Sequence, residues 1–168
     1  FEGSHGRNSE VGSFEMDCFH KSFFCDDEEN TKFYYLCSYY NIVKQVKRQL
    51  EFGRESSVAN KEDLSIEDIV QAFEEGDSLC SEILLATAKM TAKMIKSLVL
   101  VIDFENIVIS RLNYKFGKKY FDCVVQFVNS EPENVAVDFY MASYTSDDAV
   151  LRGALRSGIE YGINKIIE

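Results

Sequence analysis

The chain has 168 residues, 46% apolar, 13% aromatic and 27% charged, and 28 acidic against 18 basic side chains give it a formal charge of −10. This composition excludes fibrous, collagen-like and disordered classes and allows one ordinary globular domain whose core needs no disulfide or metal staple. The negative field repels phosphate backbones, so the chain's own surface is a poor one for nucleic acid.

Residues 1–12 carry Gly3, Gly6 and Gly12 and read as loop, and Ser13 to Met16 with Phe19 to Phe24 read as a strand pair. The run Asp26-Asp27-Glu28-Glu29-Asn30 repels itself and stays solvated, and it lacks the alternating ligands and glycine of a calcium loop. From about Phe33 to Phe52, Leu36, Tyr39, Tyr40, Val43, Val46 and Leu50 recur at helical spacing, with Gly53 as a stop. Ser65 and Asp68 form an approximate capping box that opens a short helix closed by Gly76. Asp77 caps a longer helix with an apolar stripe Ile83, Leu84, Ala88, Ala92, Ile95 and Val99, and with Lys89, Lys93 and Lys96 on or beside its polar face.

After a turn at Asp103-Phe104, Ile107-Val108-Ile109 is apolar throughout, as in a strand buried on both faces. A helix from about Tyr114 to Val128, a strand at Val135 to Phe139 and a last helix capped by Asp147 or Asp148 complete the order; Leu151, Ala154, Leu155, Ile159 and Ile163 repeat along that helix. Short apolar strands separated by helices need crossover connections, so the second half is expected to hold a small parallel sheet covered by helices, an α/β class. With a single proline and no repeat or low-complexity linker, the chain reads as one unit. The longest apolar run, Leu98 to Ile102, is too short for a bilayer, and no signal peptide is legible. An odd count of five cysteines fits a reducing cytoplasm. The start on Phe1, with no initiator Met, reads as the middle of a longer protein.

The segment Gly3-Ser4-His5-Gly6-Arg7-Asn8-Ser9-Glu10-Val11-Gly12-Ser13 resembles a signature of the ROK family of bacterial sugar kinases and sugar-responsive repressors, Gly-Xaa-His-Gly, three variable residues, then Glu-Xaa-Gly-His. Glu75-Gly76-Asp77-Ser78, Asp103 to Ile109, and Ser146 to Ala154 resemble later parts of the same domain in the same order. The resemblance implies an actin-like ATPase fold, with residues 1–168 as its C-terminal lobe and with the N-terminal lobe and any DNA-binding module lying outside this chain. It implies a sugar or sugar phosphate as ligand, a homodimer, DNA contact through the missing module alone, and no membrane.

Residue by residue, the resemblance gives Glu10 the role of accepting sugar hydroxyls, which a carboxylate in a cleft can do; the alternative is an exposed loop carboxylate. His5 falls in the same signature and is otherwise a loop residue without a chemical role. The family's next histidine, a sugar and zinc ligand, is Ser13 here, and a further sugar-binding Glu aligns with Tyr34. Where the family has three zinc-binding cysteines, this chain has Cys25, Asp27 and Lys32, a set that cannot close a tetrahedral nitrogen and sulfur shell, so zinc and other cofactors are not expected. Cys18, His20 and Cys25 make only an irregular trio, better read as thiols in a hairpin. The Gly-rich nucleotide turn of the family kinases is replaced by Ser110-Arg111-Leu112, whose side chains would crowd a nucleotide, and no general base for phosphoryl transfer is present. The expected function is therefore the sugar-sensing and dimerisation lobe of a transcriptional regulator without kinase activity, with a sugar-kinase lobe or a ligand-free dimerisation scaffold as alternatives. The aromatic set Phe33, Tyr34, Tyr35, Tyr39 and Tyr40 could stack on a sugar but fits core or subunit interface better.

Overall fold

The computed structural model describes residues 11–16, 31–109, 115–130, 137–141 and 146–167. A short 3-10 turn, Val11–Ser13, precedes α1 (Phe33–Leu36), α2 (Tyr39–Glu51), α3 (Ile66–Glu74), α4 (Ser78–Ile102), β1 (Asn106–Ile109), α5 (Gly117–Asn129), β2 (Asp138–Met141) and α6 (Ser146–Ile167).

The single helix expected over 33–52 is broken at Cys37-Ser38. Ser38 accepts the Asn41 amide at 3.1 Å and donates to the Tyr35 carbonyl at 2.7 Å, so one side chain both caps α2 and holds the end of α1. The capping box of α3 forms: Ser65 Oγ accepts the Asp68 amide at 3.2 Å, and the Ser65 amide reaches the Asp68 carboxylate at 3.0 Å. Helix α3 then closes at Gly76, φ +91°, where the Gly76 amide returns to Phe73 and the Asp77 amide to Ala72. This is a Schellman ending, which needs a left-handed residue and so favours glycine. Gly53 closes α2 in the same way, through bonds from Gly53 to Leu50 and from Arg54 to Gln49.

Helix α4, 25 residues and roughly 37 Å long, is the spine against which α2, α3 and α5 pack. Its buried face carries Leu79, Ile83, Leu84, Ala88 and Val99, and these join Leu36, Ile42, Val46, Ile69, Phe73, Val124 and Val128 in one core. Two of the buried polar residues are bonded locally: Asn41 donates to the Leu36 carbonyl and accepts from Gln45, and Thr87 donates to the Leu84 carbonyl. Lys96, placed on or beside the polar face by the sequence, is buried, because α5 covers that side of α4.

The two strands pair in parallel, Ile107 with Phe139 and Val108 with Tyr140, and α5 is the crossover between them. The α/β class with a small parallel sheet is thus present, with β2 placed at Asp138–Met141 and α5 starting at Gly117. The sheet is not buried on both faces as the apolar run implied. Ile107 and Phe139 pack against the core, whereas Val108 and Tyr140 are 65% and 52% exposed on the other face. An uninterrupted apolar strand reports what its two faces can bury, and the neighbours decide whether both are covered.

The last helix starts at Ser146, before the aspartates expected to cap it. Its stripe Leu151, Leu155, Ile159 and Ile163 is at least half exposed along its whole length. Of the strand pair expected at 13–16 and 19–24, the second half lies outside the described residues. The first half pairs with 31–33: the Met16 amide donates to the Thr31 carbonyl and the Phe33 amide to the Phe14 carbonyl, both at 2.9 Å, around an antiparallel Glu15 to Lys32 bridge.

Candidate functional site

Of the residues singled out for ligand binding, Ser13 and Tyr34 are described; His5, Glu10, Cys25 and Asp27 lie outside the described residues. The structure brings the described two onto one edge. The ladder between 13–16 and 31–33 carries the end of the signature directly to the start of α1. There Gly12 faces Tyr34 so closely that a Cβ added to it would stand 3.0 Å from Tyr34 Cβ. A side chain at this position would press on Tyr34, so the glycine of the signature suits the close approach. Ser13 and Tyr34 are both solvent-facing, Tyr34 54% exposed, so the edge presents a hydroxyl and a phenol outward. Both can donate and accept hydrogen bonds, which suits polyhydroxylated ligands.

Lys32 also sits on this edge, exposed, at the bridge with Glu15. An ammonium has donors but no lone pair for a metal, and Ser13 offers a neutral hydroxyl, so this donor set does not fit structural zinc. Among the described residues no three His, Cys, Asp or Glu side chains gather as a metal site would require. The described cysteines Cys37, Cys80 and Cys123 are free thiols, and burial pushes the Cys80 thiol up to about 12, which leaves it unreactive at neutral pH.

The Glu75-Gly76-Asp77-Ser78 segment turns out to be a structural joint. Asp77 Oδ1 accepts the Cys80 amide at 2.9 Å, and Oδ2 accepts the Ser57 amide at 2.7 Å and the Ser56 and Ser57 hydroxyls at 2.9 and 3.0 Å. Partial burial pushes this carboxyl up, but the four hydrogen bonds outweigh it and hold it at about 2. One aspartate therefore starts α4 and ties the 54–58 loop to it. The spacing shows the cap; the Ser56 and Ser57 partners, about twenty residues upstream, leave no local signal.

The aromatic set divides. Tyr35 and Tyr39 pack on the core, with Tyr39 edge-on to Phe116 at 4.9 Å and Phe116 stacked on Tyr120 at 4.5 Å, while Tyr34 and Tyr40 face solvent. Tyr120 shares a 3.2 Å hydrogen bond with Thr91, and burial raises its pKa. On the sheet side, β1 leads into residues 110–112, outside the described residues. The chain is described again at Lys115, just before α5, whose first residue Gly117 has φ +76°. In open α/β sheets this carboxyl end of the strands is where ligands gather.

No helix among the described residues is long and apolar enough to cross a membrane. No curated protein sequence matches this one. Among solved structures, a ROK family transcriptional regulator homologous to the E. coli MLC protein aligns over 84% of this chain and 36% of its own, at 22% identity and a TM-score of 0.68. A protein of Cytophaga hutchinsonii described as a sugar kinase aligns over 88% of this chain and 47% of its own (18% identity, TM-score 0.68). The ROK hexokinase of Thermus thermophilus covers 87% of this chain and 47% of its own (14% identity, TM-score 0.63). The chain thus spans between 36% and 47% of the length of these structures and shares their fold. A sequence profile of the ROK family matches residues 1–157, and with that match over nearly its whole length the chain belongs to the ROK family.

Proposed function

We propose that this chain is the sugar-sensing and dimerisation lobe of a ROK-family transcriptional regulator, without kinase activity. The observation that carries the reading is the edge at Gly12 and Tyr34: the last part of the sugar signature packs against α1 and presents hydroxyls outward, next in sequence to the retained Glu10. Ser110-Arg111-Leu112, in place of a glycine-rich turn, argues against nucleotide binding. In this reading Glu10 accepts two sugar hydroxyls, and Ser13 and Tyr34 complete the contact, with His5 nearby in the signature. The long helices join two copies, and a DNA-binding module elsewhere in the protein reads the coupled change in affinity. Such a regulator works in the cytoplasm, with a sugar or sugar phosphate as effector.

Isothermal titration of the intact protein against hexoses, amino sugars and their phosphates tests it. Saturable heat for one class, abolished by Glu10→Gln, is the expected result, together with no phosphoryl transfer from ATP. The kinase reading is favoured by the two kinases among the compared structures. Phosphorylation of a hexose by the full-length protein would establish it in place of the regulator. Buffer-level heats throughout the panel would leave a dimerisation scaffold.

A further inference from the structure

Two apolar surfaces of this chain face solvent, one on the sheet and one on α6. Parallel strands are normally covered on both faces, yet only the face of Ile107 and Phe139 meets the core. On the other face Val108 and Tyr140 stand open, and so do Leu100, Val101 and Phe104 where the end of α4 turns into β1. On α6, Leu151, Leu155, Ile159 and Ile163 repeat every four residues and form one stripe of roughly 18 Å, at least half exposed throughout. A four-residue strand such as β1 is roughly 13 Å long. The stripe is therefore long enough to cover the two strands from end to end and reach the end of α4.

The charges around the two surfaces are opposite. Strand residues alternate between faces, so Asp138 shares the open face with Tyr140, and its register partner Asn106 shares it with Val108. Asp138, Asp103 and Glu105 are all exposed and give this end of the sheet an acidic rim. On α6, Arg152 and Arg156 directly follow Leu151 and Leu155, so both flank the stripe, and both are exposed. Arg156 holds Glu160 at 2.9 Å, an exposed pair of small net strength that can give way to another carboxylate. The α6 of this chain does not close over its own sheet, because its stripe stays in solvent. Two copies related by a two-fold axis cover both surfaces at once, the α6 of each lying on the sheet of the other. Such a contact is self-complementary and closes at two copies.

We infer that a second copy of this chain covers the open sheet face with its α6, the stripe on Val108 and Tyr140 and the Arg152 and Arg156 guanidiniums against Asp138 and the acidic rim. The apolar stripe supplies the affinity, and the charged flank fixes the direction in which α6 crosses the strands. The contact rests on the dimer proposed above and names its two surfaces; no sugar-binding residue takes part in it.

Sedimentation equilibrium of the chain tests it, with a monomer–dimer equilibrium as the expected result. I159D on the helix and V108D on the sheet are each expected to raise the dimer dissociation constant at least about tenfold. R156E and D138R are each expected to weaken the dimer, and the R156E/D138R chain to recover most of that loss, since the pair is restored with its signs exchanged. A chain that is monomeric at every concentration overturns this contact together with the dimer it rests on. A dimer dissociated by I159D but indifferent to V108D has α6 on some other surface, another α6 included, and overturns this contact alone. So does a dimer that neither substitution changes, or a R156E/D138R chain as weak as the single variants. All four side chains are exposed, and melting curves that match the unaltered chain separate a lost contact from a lost fold. Should V108D melt early, the charge exchange, which alters no apolar side chain, decides the outcome.

Discussion

Asp77 concentrates more of the local order than any neighbouring residue, because one carboxylate satisfies the first turn of α4 and two serines of the preceding loop. Asp77→Ala is expected to lower stability at neutral pH by about 1–2 kcal/mol, since the cap and the partner of the Ser57 amide go together. A shift in the urea midpoint measures it. Asp68 is held at about 2 as well, by hydrogen bonds from Ser65 and Lys61. Both carboxyls titrate near 2 in the fold and near 4 in the unfolded chain. Their folded values are depressed, so the stability they add is complete above about pH 4 and lost as pH falls toward 2. The unaltered chain should lose stability through that window, and the gap between it and Asp77→Ala should narrow there. At Gly12 the effect is local. Gly12→Ala forces a Cβ against Tyr34, and the amides of Met16 and Phe33, which hold the edge together, are expected to exchange faster with solvent while the core amides do not. The caps were legible in the sequence because Ser65 and Asp68 lie three residues apart. The contact of Gly12 with Tyr34 was not, because it spans 22 positions of chain and is created by the ladder.

At the scale of elements, α4 and α6 carry the same kind of apolar repeat and end in different surroundings. Leu84 on α4 is fully buried, whereas Leu155 on α6 is 57% exposed. Leu84→Ala should therefore cost about 3 kcal/mol through lost burial and a cavity, and Leu155→Ala no more than about 0.5 kcal/mol in this chain. Chemical denaturation of the two variants side by side checks the contrast. Native-state hydrogen exchange should likewise find α6 opening more readily than α4, since a helix whose described apolar side chains are at least half exposed rests more on its own marginal propensity. Gly153, Gly158 and Gly162 lower that propensity further, and among the described residues no side chain packs against them. Periodicity located both helices to within a few residues. It identifies the apolar face of a helix and is silent on what covers that face, which is why it also overstated the burial of β1.

For the whole molecule, the exposed apolar side chains extend beyond α6. Leu100, Val101 and Ile102 at the end of α4, Phe104 after it, and Val108 and Tyr140 on the open face of the sheet are also exposed. Surfaces of this kind mark interfaces. The isolated chain is expected to self-associate with rising concentration in sedimentation velocity, more strongly in high salt, which screens the net charge of −10. L155D/I159D is expected to weaken it. A chain that stays monomeric at all concentrations would count against α6 as a contact surface. What the sequence determined by itself was local and compositional: the helical repeats, the capping box, the parallel α/β class forced by short strands separated by helices, and a ROK signature that the family match bears out. Only the tertiary structure decided which apolar faces are covered, which serines serve Asp77 and how Gly12 meets Tyr34. The physical reason is one of range. Caps and periodicity are set by neighbours within a turn or two of chain, whereas burial and sites are set by whatever the fold brings from far along the sequence.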